Sequence, residues 1–121
     1  MIAPGIDHIA LTVPDLNDQV DRLTATFAMV VESRTEHFAV LTDPATGLRL
    51  ELGRSHDDTV HFRHLGFRAD DVDGDHAQLV TDGMTTNQEP HRHEFAGMYT
   101  SMLTKPGGID VQLVCYDDAS R

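Results

Sequence analysis

The sequence has no tryptophan, a single cysteine and few basic residues, and these shortages exclude several classes of protein. With Cys115 alone, no disulfide can form within the chain, so a reducing cytoplasm is the expected compartment. Nine Lys and Arg residues against 20 Asp and Glu residues leave a formal net charge of −11. This charge argues against a nucleic-acid or anionic-membrane partner, because binding phosphate groups requires clustered basic side chains.

Long hydrophobic runs are also missing. No stretch approaches the roughly 18 apolar residues of a transmembrane helix, and the N-terminus lacks the basic-then-apolar pattern of a secretory signal. The 121 residues, 40% of them hydrophobic, suffice for one modest domain with a real core. We therefore expect a single cytoplasmic domain over residues 1–121 with a small molecule as its partner.

The chain contains the same order of elements twice. The first copy has a strand in "IDHIALTVPDL", a helix in "PDLNDQVDRLTATF" capped by Asp15, and strands in "MVVESRTE", "HFAVLTDP" and "LRLELGRS". The second copy begins near Val60 with a strand in "VHFRHLGFRADD" and a helix in "DVDGDHAQLVTDG" that ends at Gly83. Next come "TTNQEPHRHE", read as strand or loop, and strands in "GMYTSMLTKP" and "IDVQLVCY".

This repetition predicts an α+β fold of two tandem βαβββ modules, about 1–56 and about 57–121. We expect the modules to form a cup-shaped mixed sheet with the helices on its outer face. When the two copies are aligned, His8 falls on His64 and Glu51 falls on Gln112.

Side chains alternate between the two faces of a strand, which separates core residues from candidate site residues. The face expected to pack on the helices carries Ile9, Leu11, Val13, Leu48, Leu50, Leu52, Leu65, Phe67, Ala69, Ile109, Val111 and Leu113. The opposite face then carries His8, Arg49, Glu51, His64, Arg68 and Gln112.

Two imidazoles, a carboxylate and an amide oxygen form a first shell suited to a divalent transition metal such as Zn, Ni, Fe or Mn. We predict His8, Glu51 and His64 as ligands, with Gln112 as a weaker fourth. Glu51 is the only inward carboxylate that we expect to be available as a catalytic proton shuttle. A cation would also offset the cost of burying it.

Two arginines on the same face, Arg49 and Arg68, are candidates for binding a substrate anion; the alternative is an ion pair with Glu51 or a nearby Asp. The remaining histidines are less promising. His76 is expected to pack on the helix stripe, and His61 to lie near a strand edge. We expect the remaining four histidines to lie on the surface: His37, His56, His91 and His93. For His91 and His93 the alternative is a mobile wall over the cup.

The pattern resembles the vicinal oxygen chelate superfamily, which includes glyoxalase I, methylmalonyl-CoA epimerase, extradiol dioxygenases, fosfomycin-resistance enzymes and bleomycin-resistance proteins. The resemblance covers nearly the whole chain through "IDHIALTVPDL", "DPATGLRLEL", "HLGFRADDVD" and "KPGGIDVQLV". It implies paired βαβββ modules around a divalent metal, with ligands at His8, Glu51, His64 and Gln112. Family members close the cup within one chain or across two, and we expect a homodimer.

Gln112 departs from the family pattern, in which a glutamate is common at this position. An amide can ligate but cannot accept a proton near neutral pH, so Glu51 would have to supply the base. We therefore expect a metal-dependent isomerase, epimerase or lyase that stabilises an enolate or oxyanion. The alternatives are an extradiol-dioxygenase-like enzyme, a metal-free protein that sequesters a small molecule, or a member whose ligand set is a relict.

Overall fold

A computed structural model describes residues 4–117, which form two helices and a mixed sheet of eight strands. The predicted α+β fold of two βαβββ modules is confirmed. The outermost residues of the predicted domain, 1–3 and 118–121, lie outside the described residues. The elements of the first module are β1 (Pro4–Val13), α1 (Leu16–Phe27), β2 (Val30–Arg34), β3 (Phe38–Thr42) and β4 (Arg49–Arg54); those of the second are β5 (His61–Ala69), α2 (Val72–Thr81), β6 (Thr85–His93), β7 (Met98–Thr104) and β8 (Val111–Tyr116).

The first module has the strand order β2-β3-β4-β1, with β1 and β4 parallel and the other neighbours antiparallel. As predicted, Asp15 caps α1, and its side chain accepts a hydrogen bond from the backbone N–H of Asp18. The helix ends where Ala28 adopts a left-handed conformation (φ 56°). The apolar face of α1 packs on the sheet, and the buried core comprises Val13, Leu16, Val20, Ala39, Leu41 and Leu52.

The second module repeats this arrangement with the order β5-β8-β7-β6, in which β5 and β8 are parallel. Asp71 takes the place of Asp15, and its side chain accepts a hydrogen bond from the N–H of Gly74 at 3.0 Å. The buried core comprises Ala69, Val72, Leu103 and Leu113, with Phe67 and Val111 packed against it. The alternation predicted for β5 and β8 is therefore confirmed where the strands cross the core.

Two details differ from the sequence-based expectation, and one open alternative is settled. Ile109, expected in the core, is 53% exposed because β8 begins only at Val111, after the Gly107–Gly108 turn. The "TTNQEPHRHE" segment forms a strand, β6, whose pairing with β7 shifts register at two places. The helix α2 ends at Thr81, before Gly83, which takes a positive φ of 108°.

Two compact units make up the described chain: residues 8–63, and residues 4–7 together with 64–117. Neither α1 nor α2, the two helices of the described residues, is long and apolar enough to span a lipid bilayer.

Candidate metal centre

The parallel pairing of β1 with β4 brings His8 and Glu51 onto one face of the sheet. Ala10 is the register partner of Glu51, and His8 is the partner of Arg49, so the side chains of these positions point the same way. The His8 side chain is 1% exposed and that of Glu51 is 22% exposed; Nε2 of His8 lies 3.5 Å from Oε2 of Glu51. A buried imidazole therefore faces a carboxylate that solvent still reaches.

His64 lies on β5, on the strand face opposite to the core residues Phe67 and Ala69, as the alternation predicted. Its side chain is half-buried. The ligand role of His64 stays a prediction.

Gln112, the fourth predicted ligand, is buried on β8 at the register partner of Gly66. It therefore shares the strand face of His64 and Arg68. Its Nε2 donates a hydrogen bond of 2.9 Å to Oγ1 of Thr100, and that hydroxyl donates one of 2.7 Å to the carbonyl oxygen of Leu113.

Arg49 forms an ion pair with Glu32, a residue that the strand pattern did not predict at the site. Its Nε lies 3.0 Å from Oε2 of Glu32 on β2, and Glu32 also accepts a hydrogen bond from Thr42. Thr42 is the register partner of Arg49, so Glu32 lies on the same face as Glu51. The expectation that Glu51 is the only inward carboxylate is therefore wrong. The available signal was the alternation around Val31, a partly buried residue packed against the core, although a bulge between Val31 and Ser33 interrupts it.

Arg68 contacts a second residue that the sequence reading did not identify, the fully buried Asp7. The Nε of Arg68 donates to Oδ1 of Asp7 at 3.3 Å, and the hydroxyl of Tyr116 donates to Oδ2 at 2.6 Å. A buried carboxylate with two such donors is well compensated. The Arg68 side chain itself is 42% exposed. No alternation pattern marks Asp7, because it stands at a position where an apolar side chain would be expected.

The other histidines take structural positions. His76 on α2 is buried, with Nδ1 2.7 Å from the hydroxyl of Ser101 and Nε2 2.9 Å from that of Thr86. His61 bonds to Asp57 at the start of β5. His91 and His93 lie on β6, not in a solvated loop, where their Nδ1 atoms bond to backbone groups. His37 and His56 are exposed, as expected.

The family model described as Glyoxalase/Bleomycin resistance protein/Dioxygenase superfamily matches residues 5–113. The chain belongs to this superfamily. Members of the superfamily commonly bind divalent metals. No curated protein matches the sequence significantly.

Solved structures from the superfamily have the same fold. The methylmalonyl-CoA epimerase of Mycobacterium tuberculosis is 20% identical, with a TM-score of 0.77 over 98% of this chain and 95% of that one. A variant of the Streptomyces coelicolor methylmalonyl-CoA epimerase, in complex with 2-nitronate-propionyl-CoA, is 23% identical, with a TM-score of 0.72 over 96% of this chain and 99% of that one. At these identities the likeness shows the fold.

The donor set of His8 and Glu51 fits a divalent transition metal. Two donor atoms that each lie about 2.1 Å from one ion at a tetrahedral angle are about 3.4 Å apart. The 3.5 Å separation between His8 and Glu51 is close to that distance and longer than an ordinary N–H···O hydrogen bond. Imidazole nitrogen with carboxylate oxygen suits Zn, Ni, Fe or Mn, whereas Ca and Mg prefer oxygen ligands alone.

Proposed function

We propose that this protein is a metal-dependent enzyme of the epimerase or glyoxalase type, acting on a small substrate that passes through an enolate or another oxyanion. The observation that carries the proposal is the 3.5 Å approach of Nε2 of His8 to Oε2 of Glu51, with His64 as the third predicted ligand. Burial of His8 supports it, because a metal ligand needs a fixed orientation and limited competition from water. A divalent ion held there would supply Lewis-acid stabilisation of the developing negative charge.

Glu51 is the proposed proton-transfer group. Its carboxylate lies beside His8, and its 22% exposure leaves it accessible to substrate and solvent. Gln112 cannot take this role, since an amide does not accept a proton near neutral pH. His8 and His64 hold the ion and remain neutral, as imidazole ligands must.

Arg49 and Arg68 are the proposed substrate-binding residues. Both carry a carboxylate partner on Nε, Glu32 and Asp7 respectively, which fixes the plane of each guanidinium group. A fixed guanidinium suits recognition of a carboxylate or of another planar anion. The epimerases with this fold act on acyl-CoA thioesters, so small acyl thioesters that carry a carboxylate are the first substrates to test.

Metal analysis tests the proposal directly. Protein purified without chelator is expected to contain near-stoichiometric metal, and His8→Ala and His64→Ala are each expected to abolish it. His56→Ala, which removes an exposed histidine, is the matched control and should retain the metal. If the wild-type protein stays metal-free after incubation with Zn, Ni, Mn and Fe(II), it is instead a metal-free binding protein.

Activity requires a second measurement. The loaded enzyme should catalyse deuterium uptake from solvent at the carbon next to the substrate carbonyl, and Glu51→Gln should lose this exchange. Oxygen consumption with a catechol substrate, in place of proton exchange, would identify an extradiol-dioxygenase-like enzyme. Two further parts of the proposal have tests of their own: cell fractionation for a cytoplasmic location, and light scattering of the purified protein for a homodimer.

A further inference from the structure

Gln112 is the ligand position at which this chain departs from the superfamily pattern, and its surroundings account for the departure. The residue is 8% exposed, and its neighbour Thr100 is 2% exposed. Among the described residues, no buried side-chain nitrogen or oxygen lacks a hydrogen-bond partner. Since water does not compete at such a position, the protein partners determine how the amide is oriented.

The direction of each hydrogen bond follows from the inventory of donors. A backbone carbonyl can only accept, so the hydroxyl of Thr100 must donate its single proton to the carbonyl oxygen of Leu113, 2.7 Å away. Toward Gln112 the same hydroxyl then has only lone pairs to offer. The amide must donate to it, which assigns the atom 2.9 Å from Thr100 as Nε2 and directs the oxygen Oε1 away from Thr100.

We infer that Thr100 is a positioning residue that presents Gln112 to the metal centre through its amide oxygen. The inference rests on the proposed function, because it assumes that a metal ion is bound. Only the oxygen of an amide is a useful metal ligand, so a flipped amide would turn a non-ligating NH₂ group toward the ion. Thr100 would thus act on the metal only through Gln112, by fixing the orientation of its amide.

The same chain of hydrogen bonds favours glutamine over glutamate at position 112. A carboxylate has no proton to donate, so its oxygen would lie against the lone pairs of the Thr100 hydroxyl. To bond the carboxylate, Thr100 would have to abandon the carbonyl of Leu113. With glutamine, the amide N–H of Gln112, the hydroxyl of Thr100 and the carbonyl of Leu113 are all hydrogen-bonded at once. Neither a carboxylate nor an apolar side chain at position 112 can achieve this.

The decisive experiment compares metal affinity in apo protein by calorimetric titration with Zn. Thr100→Val keeps the side-chain shape but removes the hydroxyl, and we expect it to weaken binding about 10-fold or more. Thr100→Ser retains the hydroxyl and should bind Zn as tightly as the wild-type protein. Thr104→Val makes the same substitution elsewhere on β7 and should leave affinity unchanged. In a Gln112→Ala background, Thr100→Val should produce no further loss.

A second readout follows the amide itself. In apo protein, the side-chain NH₂ protons of Gln112 should exchange slowly with solvent by NMR, and Thr100→Val should abolish that protection. An equal loss of affinity from Thr100→Val in the Gln112→Ala background would overturn the inference, since the effect would then be general packing. Unchanged affinity in Thr100→Val would overturn it as well, while leaving the proposed function intact. Wild-type protein that binds no metal would instead overturn the proposed function and the ligand role of Gln112, and the NMR measurement would still decide the amide orientation.

Discussion

Nε2 of His8 lies 3.5 Å from Oε2 of Glu51, although 42 residues of chain separate the two positions along the sequence. The parallel register of β1 and β4 produces this approach, because it sets Ala10 opposite Glu51 and His8 opposite Arg49. The imidazole is buried, whereas the carboxylate remains partly exposed. One partner is thus fixed in place, and the other is accessible for proton transfer.

Replacing Glu51 with glutamine should distinguish a role of Glu51 in proton transfer from a role in metal binding alone. The amide keeps the size of the side chain but cannot accept a proton, so kcat should fall by about 10²- to 10⁴-fold. Steady-state kinetics of deuterium uptake, combined with metal titration, would measure both properties. Glu36→Gln, at an exposed position, is the control and should behave like the wild type. An active Glu51→Gln enzyme would assign the base elsewhere, with Glu32 as the next candidate.

The hydroxyl of Tyr116 should contribute measurably to stability because it donates to the buried Asp7. Tyr116→Phe removes a hydrogen bond to a charged group, and we expect the free energy of unfolding to fall by about 1.5–3 kcal/mol. Tyr99→Phe is the matched control, since Tyr99 donates a similar bond to the exposed Asp73. The free energy of unfolding of Tyr99→Phe should stay within about 0.5 kcal/mol of the wild-type value. Urea denaturation in the presence of chelator measures both, and equal losses would contradict the assignment.

Gln112→Glu should destabilise the protein even without metal. Because the proton of Thr100 is committed to the carbonyl of Leu113, a carboxylate oxygen in the place of Nε2 of Gln112 would receive no hydrogen bond from Thr100. We expect a loss of about 1–3 kcal/mol at neutral pH, measured by urea denaturation with chelator present. Gln88→Glu, on the exposed part of β6, is the control for the added charge. A variant as stable as the wild type would show that Thr100 reorients freely.

Asp57 should remain ionised in acid well below the usual range for aspartate. Hydrogen bonds from the backbone N–H of Thr59, then from His61 and from the hydroxyls of Thr59 and Ser55, hold the pKa of this carboxyl far below its ordinary value. Because the folded-state pKa is depressed, the associated stability is present above the unfolded-state pKa of about 3.9 and is lost as the pH falls.

The pKa of Asp57 can be followed by carbon NMR of its carboxyl group. His61→Ala should move the titration midpoint upward, toward the ordinary value, because one of the hydrogen bonds is lost. His56→Ala, in the same loop, should leave the midpoint in place. A midpoint near 4 in the wild-type protein would show that the hydrogen bonds around Asp57 do not persist in solution.

The repeated pattern of strands and helices was readable from the sequence because it depends on local rules. Apolar residues at alternate positions define the core face of β1 and β5, and the Asp15 cap marks the start of α1. The same alternation placed His8 and Glu51 on one face. The boundaries of the strands depend also on turns: the turn at residues 107–108 delays the start of β8, so Ile109 lies outside the core.

The sequence by itself therefore determined which faces of the strands are polar and which residue types they offer to a ligand. Only the tertiary structure decided which of those side chains meet, because the pairing register between β1 and β4 and between β7 and β8 depends on contacts far apart in the chain. The partners of Arg49 and Arg68, the burial of Asp7 and the orientation of the Gln112 amide all follow from such contacts. Periodicity describes one strand at a time, whereas a hydrogen bond such as that between Gln112 and Thr100 requires two strands in a fixed register.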